Sequence, residues 1–173
     1  KAPPKLPASA LKAKAQYEAA RAMAAAHGGR ATRPETIHLT LAFVGDVSGS
    51  RLPALVDAAA GVRGQPFELC LDRLGYWAHN RLCWAGANAA PVALAELAGG
   101  LHTALRDAGF PLERERGAFA PHVTLVRKTT TAVSVQPIEP AVAWHCEAFV
   151  LVRSRLSARG SAYQVLREFP LLQ

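Results

Sequence analysis

Ile37-His38-Leu39-Thr40-Leu41-Ala42-Phe43-Val44 and, starting 84 residues after His38, His122-Val123-Thr124-Leu125-Val126-Arg127-Lys128 are the two stretches on which the fold turns. Both are apolar and suited to strands, and both carry His-x-Thr-Leu. Side chains alternate faces along an extended strand, so His38 and Thr40 project together while Leu39 and Leu41 turn into the core. His122 and Thr124 repeat that arrangement, and Arg127 is expected to project with them. With six His and eight Thr in 173 residues, chance expects only about 0.3 His-x-Thr triplets, and fewer still followed by Leu. Two such copies therefore point to one shared site. If the strands lie side by side, two imidazoles and two hydroxyls converge: an acid, a base and two donors.

That set suits the opening of a cyclic phosphoester by water, which needs a base to take the water proton and an acid to protonate the departing oxygen. An unperturbed imidazole titrates near ~6.5, so at neutral pH one histidine can be neutral and the other protonated, with no metal or other cofactor required. Thr40 and Thr124 would donate to the non-bridging phosphate oxygens, and Arg127 would supply a fixed positive charge. The spacing leaves open which histidine is acid and which is base. Phe119, Tyr76, Trp77 and Tyr163 are the aromatic residues placed to stack a base. His27, His79, His102 and His145 have no ligand spacing to one another, so no metal site is expected. A Gly-x-x-x-x-Gly-Lys loop is absent.

The paired motif, with Pro121 before the second copy and Arg127 after it, resembles the two-histidine phosphoesterases, specifically the LigT/ThpR branch of RNA 2′,3′-cyclic phosphodiesterases, also called 2′-5′ RNA ligases. The stretches 33–47, 71–86, 117–128 and 149–171 are similar to that branch in order and spacing, so the likeness runs from about Thr32 to the end of the chain. The resemblance implies an α+β, bilobal fold, with two antiparallel sheets flanking a central cleft and helices outside. It also implies that His38 is the proton donor and His122 the proton acceptor, that the product is a 2′-phosphate, and that reversible 2′-5′ joining is a side activity. The implied partners are RNA with 2′,3′-cyclic phosphate ends, tRNA halves or nucleotides. At the front the pattern departs from the family, whose usual opening strand is expected to be incomplete, with only Ala2-Pro3-Pro4 as its end.

A chain of 173 residues, half of them apolar, can bury a real core but is short for two independent domains. One domain over residues 1–173, with two pseudo-symmetric lobes, is expected, and a monomer. Net charge is +7, and the first 33 residues hold seven Lys or Arg against the single Glu18. This basic segment is expected to help hold longer RNA. Cys70, Cys83 and Cys146 are widely spaced and form no Cys-x-x-Cys pair, which argues against a disulfide framework or a zinc site and for a cytoplasmic setting. No apolar run approaches the roughly 20 residues of a membrane span, and no targeting segment is read.

Periodicity and breakers predict a helix over 9–27 closed by Gly28-Gly29, a strand over 37–44 and a helix over 51–62. A hairpin follows, of strands 67–77 and 81–86 turning at Ala78-His79-Asn80, then a helix over 92–108 that stops at Gly109. Residues 111–117 are strand or loop. Beyond the second motif strand (122–128), the pattern predicts a loop over 129–137, one long strand over 142–156 and a last strand over 163–169. Two similar lobes follow from this reading, each a small sheet carrying one motif. Two other functions fit the composition: a nucleotide- or RNA-binding module without turnover, and a phosphodiesterase for 2′-5′ oligonucleotides or small cyclic nucleotides. Intact His and Thr in both motifs favour catalysis, because binding alone needs positive charge and not a paired acid and base.

Overall fold

A computed structural model of the protein describes residue 18 and residues 21–112, 119–157 and 160–172, with the side chains of 156, 157 and 160 excepted. The expected strand end at Ala2-Pro3-Pro4, most of the basic segment and the greater part of the helix expected from Ser9 lie outside these residues. The chain divides into two compact units. The first comprises Lys1–Leu39, Cys70–Ala89 and His122–Trp144, and the second Thr40–Leu69, Ala90–Pro121 and His145–Gln173.

In the first unit, helical residues 21–27 (α1) end at Gly28 and Gly29, both with positive φ. A side chain on Gly29 would meet the Arg127 carbonyl at 2.7 Å, so glycine alone lets the chain turn tightly into β1 (Arg30–Ala31). The carbonyl of His27 accepts hydrogen bonds from the Thr130 amide at 2.9 Å and the Thr130 hydroxyl at 2.9 Å. The polar threonine loop thereby satisfies the helix end.

The sheet is ordered β1-β4-β3-β2-β5, with β2 at Phe67–Trp77, β3 at Leu82–Gly86, β4 at His122–Arg127 and β5 at Gln136–Cys146. The hairpin of β2 and β3 forms as expected. Pro137 and Pro140 are tolerated because β5 is an edge strand, where a missing donor leaves no ladder bond unmade. One face of this sheet carries Leu74, Cys83, Ala85, Val123 and Val126, all buried. Burial pushes the Cys83 thiol up to about 11, because the thiolate would lose its hydration.

The second unit is built on α2 (Leu52–Ala60) and α3 (Val92–Asp107), whose Leu55, Ala59, Leu97, Leu101 and Leu105 are buried with Phe110, Phe149, Phe169 and Leu171. Arg51 donates to the Ala108 carbonyl at 2.8 Å and lies 4.4 Å from the Phe110 ring, closing the C-terminal end of α3. Strands β6 (Ala148–Ser157) and β7 (Gly160–Pro170) form a separate antiparallel pair, in which Phe149 faces Phe169 with rings stacked at 4.8 Å.

Three expectations about the strands are corrected. Residues 37–44 do not form a strand; a single bridge, Leu39 to Val123, is all that pairs. Beyond Thr40 the chain serves another core, because Leu41, Ala42, Val44 and Val47 pack on the helices of the second unit. The His102 ring also donates Nε2–H to the Leu41 carbonyl at 2.8 Å, which occupies an acceptor a strand ladder would have used. The long strand expected over 142–156 is two strands interrupted at Glu147, and β5 begins earlier, at Gln136. Finally, the lobes do not each contain a sheet with its own motif: the second motif is β4, the first pairs with that same strand at Leu39, and the β6–β7 sheet carries neither.

Candidate active site

His38 follows a short 3-10 turn, Pro34–Thr36, for which Pro34 presets the backbone. The Thr36 hydroxyl bonds the Arg33 carbonyl at 2.9 Å, and the Thr36 carbonyl lies 2.7 Å from His38 Nδ1. A carbonyl can only accept, so Nδ1 carries a hydrogen and Nε2 is the nitrogen that gains or loses a proton. One step along the antiparallel register from the Leu39–Val123 bridge, His38 falls opposite Thr124. His122 lies two residues before Thr124 on the same strand, hence on the same face, and diagonal neighbours across a pair are about 7–8 Å apart.

The sheet adds residues around this pair. Its registers align Arg73 with Gly86 and Gly86 with His122 in one row, then Gly75 with Trp84 and Trp84 with Thr124 in the next. Trp77 meets the His122 ring edge-on, centroids 4.5 Å apart at 73°, and Trp84 lies 6.5 Å from it. The two indoles are 5.5 Å apart. An imidazole held between aromatic walls keeps one orientation.

Arg127 stands three residues after Thr124, so strict alternation would put it on the opposite face. A bulge on β4 opposite Cys83 and Trp84 leaves Leu125 without a partner on β3, and Arg127 pairs with Leu82 in the frame of Trp84. Arg127 therefore shares the motif face, as expected, by a route that alternation alone does not supply. Its other neighbour is Arg30 on β1.

Comparison with known proteins turns this geometry into a family assignment. A family model described as LigT like Phosphoesterase matches residues 6–84. The chain is 34% identical over 148 residues to the RNA 2′,3′-cyclic phosphodiesterase of Escherichia coli, covering 84% of this chain and 81% of that protein. The chain belongs to the LigT family. It is likewise 34% identical over 152 residues to the protein of that name from Thermus thermophilus, covering 83% of this chain and 76% of the relative. The crystal structure of E. coli LigT in apo form superposes with a TM-score of 0.82 at 30% identity, over 98% of this chain and 94% of that one. E. coli LigT has also been crystallised with 3′-AMP. The mixed fold of helices and two antiparallel sheets is thus the LigT fold.

Of the other residues named from the sequence, Thr40 is exposed, next to the bridged Leu39, and is the first residue of the second unit. Tyr76 is opposite Cys83, on the face away from His122, so it is no platform for a base in this sheet; Trp77, one residue on, occupies the motif face instead. Phe119 is half-buried in the second unit, and Tyr163 lies on β7 opposite Ser154, 37% exposed.

Trp84, Arg73 and Arg30, which stand beside the motif residues, were not legible in the sequence. The overlooked signal was Gly75, since a glycine inside a strand marks a close approach. A side chain there would collide with the Trp84 ring. Gly75→Val is expected to unseat Trp84 and loosen His122, lowering turnover roughly 10- to 100-fold, because small misplacements of a catalytic group are costly. Steady-state kinetics on folded variant checks this; wild-type turnover would uncouple the indole from the imidazole.

Proposed function

We propose that the chain hydrolyses RNA 2′,3′-cyclic phosphate ends to 2′-phosphates. The observation that supports the reading is the antiparallel Leu39–Val123 bridge, which joins the residue after His38 to the one between His122 and Thr124. In the proposed reaction His122 removes a proton from water as the water oxygen attacks phosphorus. The bond from phosphorus to the 3′ oxygen breaks, and His38 Nε2 delivers its proton to that oxygen. The phosphate stays on the 2′ oxygen. The order of donor and acceptor follows the family likeness, and the Thr36 carbonyl on Nδ1 leaves Nε2 as the nitrogen able to deliver the proton.

Thr124 and Arg127 then meet the non-bridging oxygens, where charge grows in the transition state, and Thr40 takes the corresponding part by the sequence repeat. With the 5′ hydroxyl of a second RNA in place of water, the same forward steps break the bond to the 3′ oxygen and leave a 2′-5′ linkage as a side activity, and run backwards they cleave it. Small nucleotides, like the 3′-AMP held by E. coli LigT, are further ligands of the site. A cytoplasmic setting agrees with Cys70, Cys83 and Cys146, none of which forms a disulfide. No helix among the described residues is long and apolar enough to cross a membrane.

Among the described residues no three His, Cys, Asp or Glu side chains are grouped to hold a metal. The deciding experiment incubates an RNA ending in a 2′,3′-cyclic phosphate with the protein in EDTA across pH. A 2′-phosphate product, EDTA-insensitive rates and a bell-shaped profile are expected, since acid and base are both imidazole. A 3′-phosphate product, or activity lost on chelation and restored by a divalent ion, would overturn the proposed reaction.

A further inference from the structure

Arg73 occupies the same row of the sheet as His122, separated from it only by Gly86, which has no side chain to fill the gap. Its guanidinium lies 5.2 Å from the centroid of the Trp84 ring, the indole that also borders His122. Two buried donors meet here without an acceptor, Arg73 Nε and Trp84 Nε1. The adjacent carboxylate does not serve them: Asp72 points to the opposite face by strand alternation, and its Oδ1 accepts the Asn88 amide at 2.8 Å. Arg73 forms none of the ion pairs seen among the described residues. A partly desolvated guanidinium without a counter-ion is costly to hold, and an anion relieves that cost.

From this arrangement we infer that Arg73 binds a second phosphate of the substrate, the phosphodiester on the 5′ side of the nucleotide that carries the cyclic phosphate. The inference rests on the hydrolase reading for the direction of the RNA. The separation favours the neighbouring phosphate over the reacting one. Two strand spacings put the backbones of Arg73 and His122 about 10 Å apart, further than one phosphate reaches and the scale on which successive phosphates of a strand are separated by a ribose. Stacking on Trp84 holds the planar fork in place, so the cation meets a phosphodiester oxygen already oriented. Arg73 thus makes the site selective for oligonucleotides over cyclic mononucleotides.

The test compares dissociation constants of wild type, Arg73→Gln and Arg73→Lys for 2′-AMP and for the dinucleotide ApA bearing a 2′-phosphate end. In the wild type the dinucleotide binds more tightly, and Arg73→Gln is expected to reduce that preference about tenfold, the scale of one charge-assisted contact. Arg73→Lys, which keeps charge and stem but loses the planar stack, is expected to fall between. The salt dependence of dinucleotide binding should flatten by about 0.7 in logarithmic slope, one phosphate contact on a single strand. An unchanged preference, or equal loss on both ligands, would overturn the inference. The binding ratio does not depend on turnover, so a wild type that fails to open cyclic phosphates would sink the hydrolase reading while leaving the role of Arg73 decided by these constants.

Discussion

Replacing His38 or His122 by alanine is expected to lower turnover of an RNA 2′,3′-cyclic phosphate by about 10²- to 10⁴-fold while substrate still binds, because each change deletes one proton transfer. Each variant should also lose one limb of the pH profile. Deleting the acid removes the alkaline fall, since no imidazolium remains to be titrated away, and deleting the base removes the acidic rise. Joint removal should cost much less than the product of the single losses, as residues acting as one unit are not additive. Single-turnover rates on folded variants measure all three effects. Full activity in either single variant would take that histidine out of the reaction.

Thr124→Ala and Arg127→Ala are expected to raise the activation free energy by about 2 to 4 kcal/mol each, the scale for removing a preorganised donor from a developing oxyanion. The two differ in what else they touch. Thr124 is only 9% exposed, so its loss should also lower the melting temperature, whereas exposed Arg127 should leave it nearly unchanged. Arg127→Lys should recover part of the loss, since a point charge attracts phosphate but cannot grip it with a planar fork. Thr40→Ala tests whether the first copy of the motif acts like the second. Variants that melt early yet turn over normally per folded molecule would assign these residues to the fold.

The two motifs, the hairpin and helices α2 and α3 were legible because each depends on a short-range signal: a repeated tetrapeptide, strands broken at Ala78-His79-Asn80, and helical periodicity ended by Gly109. Where residues serve long-range contacts, the reading failed. Residues 37–44 are apolar and β-branched enough to pass for a strand, yet Leu41 and Ala42 are adjacent and both pack on the helical core. Period two cannot express that. Glu147 divides what looked like one strand because its two sides join different sheets, a fact held by Phe149 and Phe169 together rather than by either alone. Around the site the histidines were found by their repeated motif, whereas Trp84 became visible only once Gly75 was known to face it. Tyr76 and Trp77 show the limit most plainly, for adjacent residues on a strand face opposite ways and only the register says which is which.

Leu125, which has no counterpart on β3, has a meaning for reading relatives of this chain. It acts as a phase shift: upstream of it the even-numbered residues His122 and Thr124 look onto the catalytic face, and downstream the odd-numbered Arg127 does. An arginine three places after the threonine is thus a written trace of the irregularity, since on an unbroken strand it would be turned away from the phosphate. Deleting one residue between Thr124 and Arg127 would restore regular pairing and keep Arg127 opposite Leu82, now by plain alternation. In an aligned sequence where cation and threonine serve the same phosphate, an odd spacing between them therefore implies that the irregularity is kept, and an even spacing that the strand runs regularly.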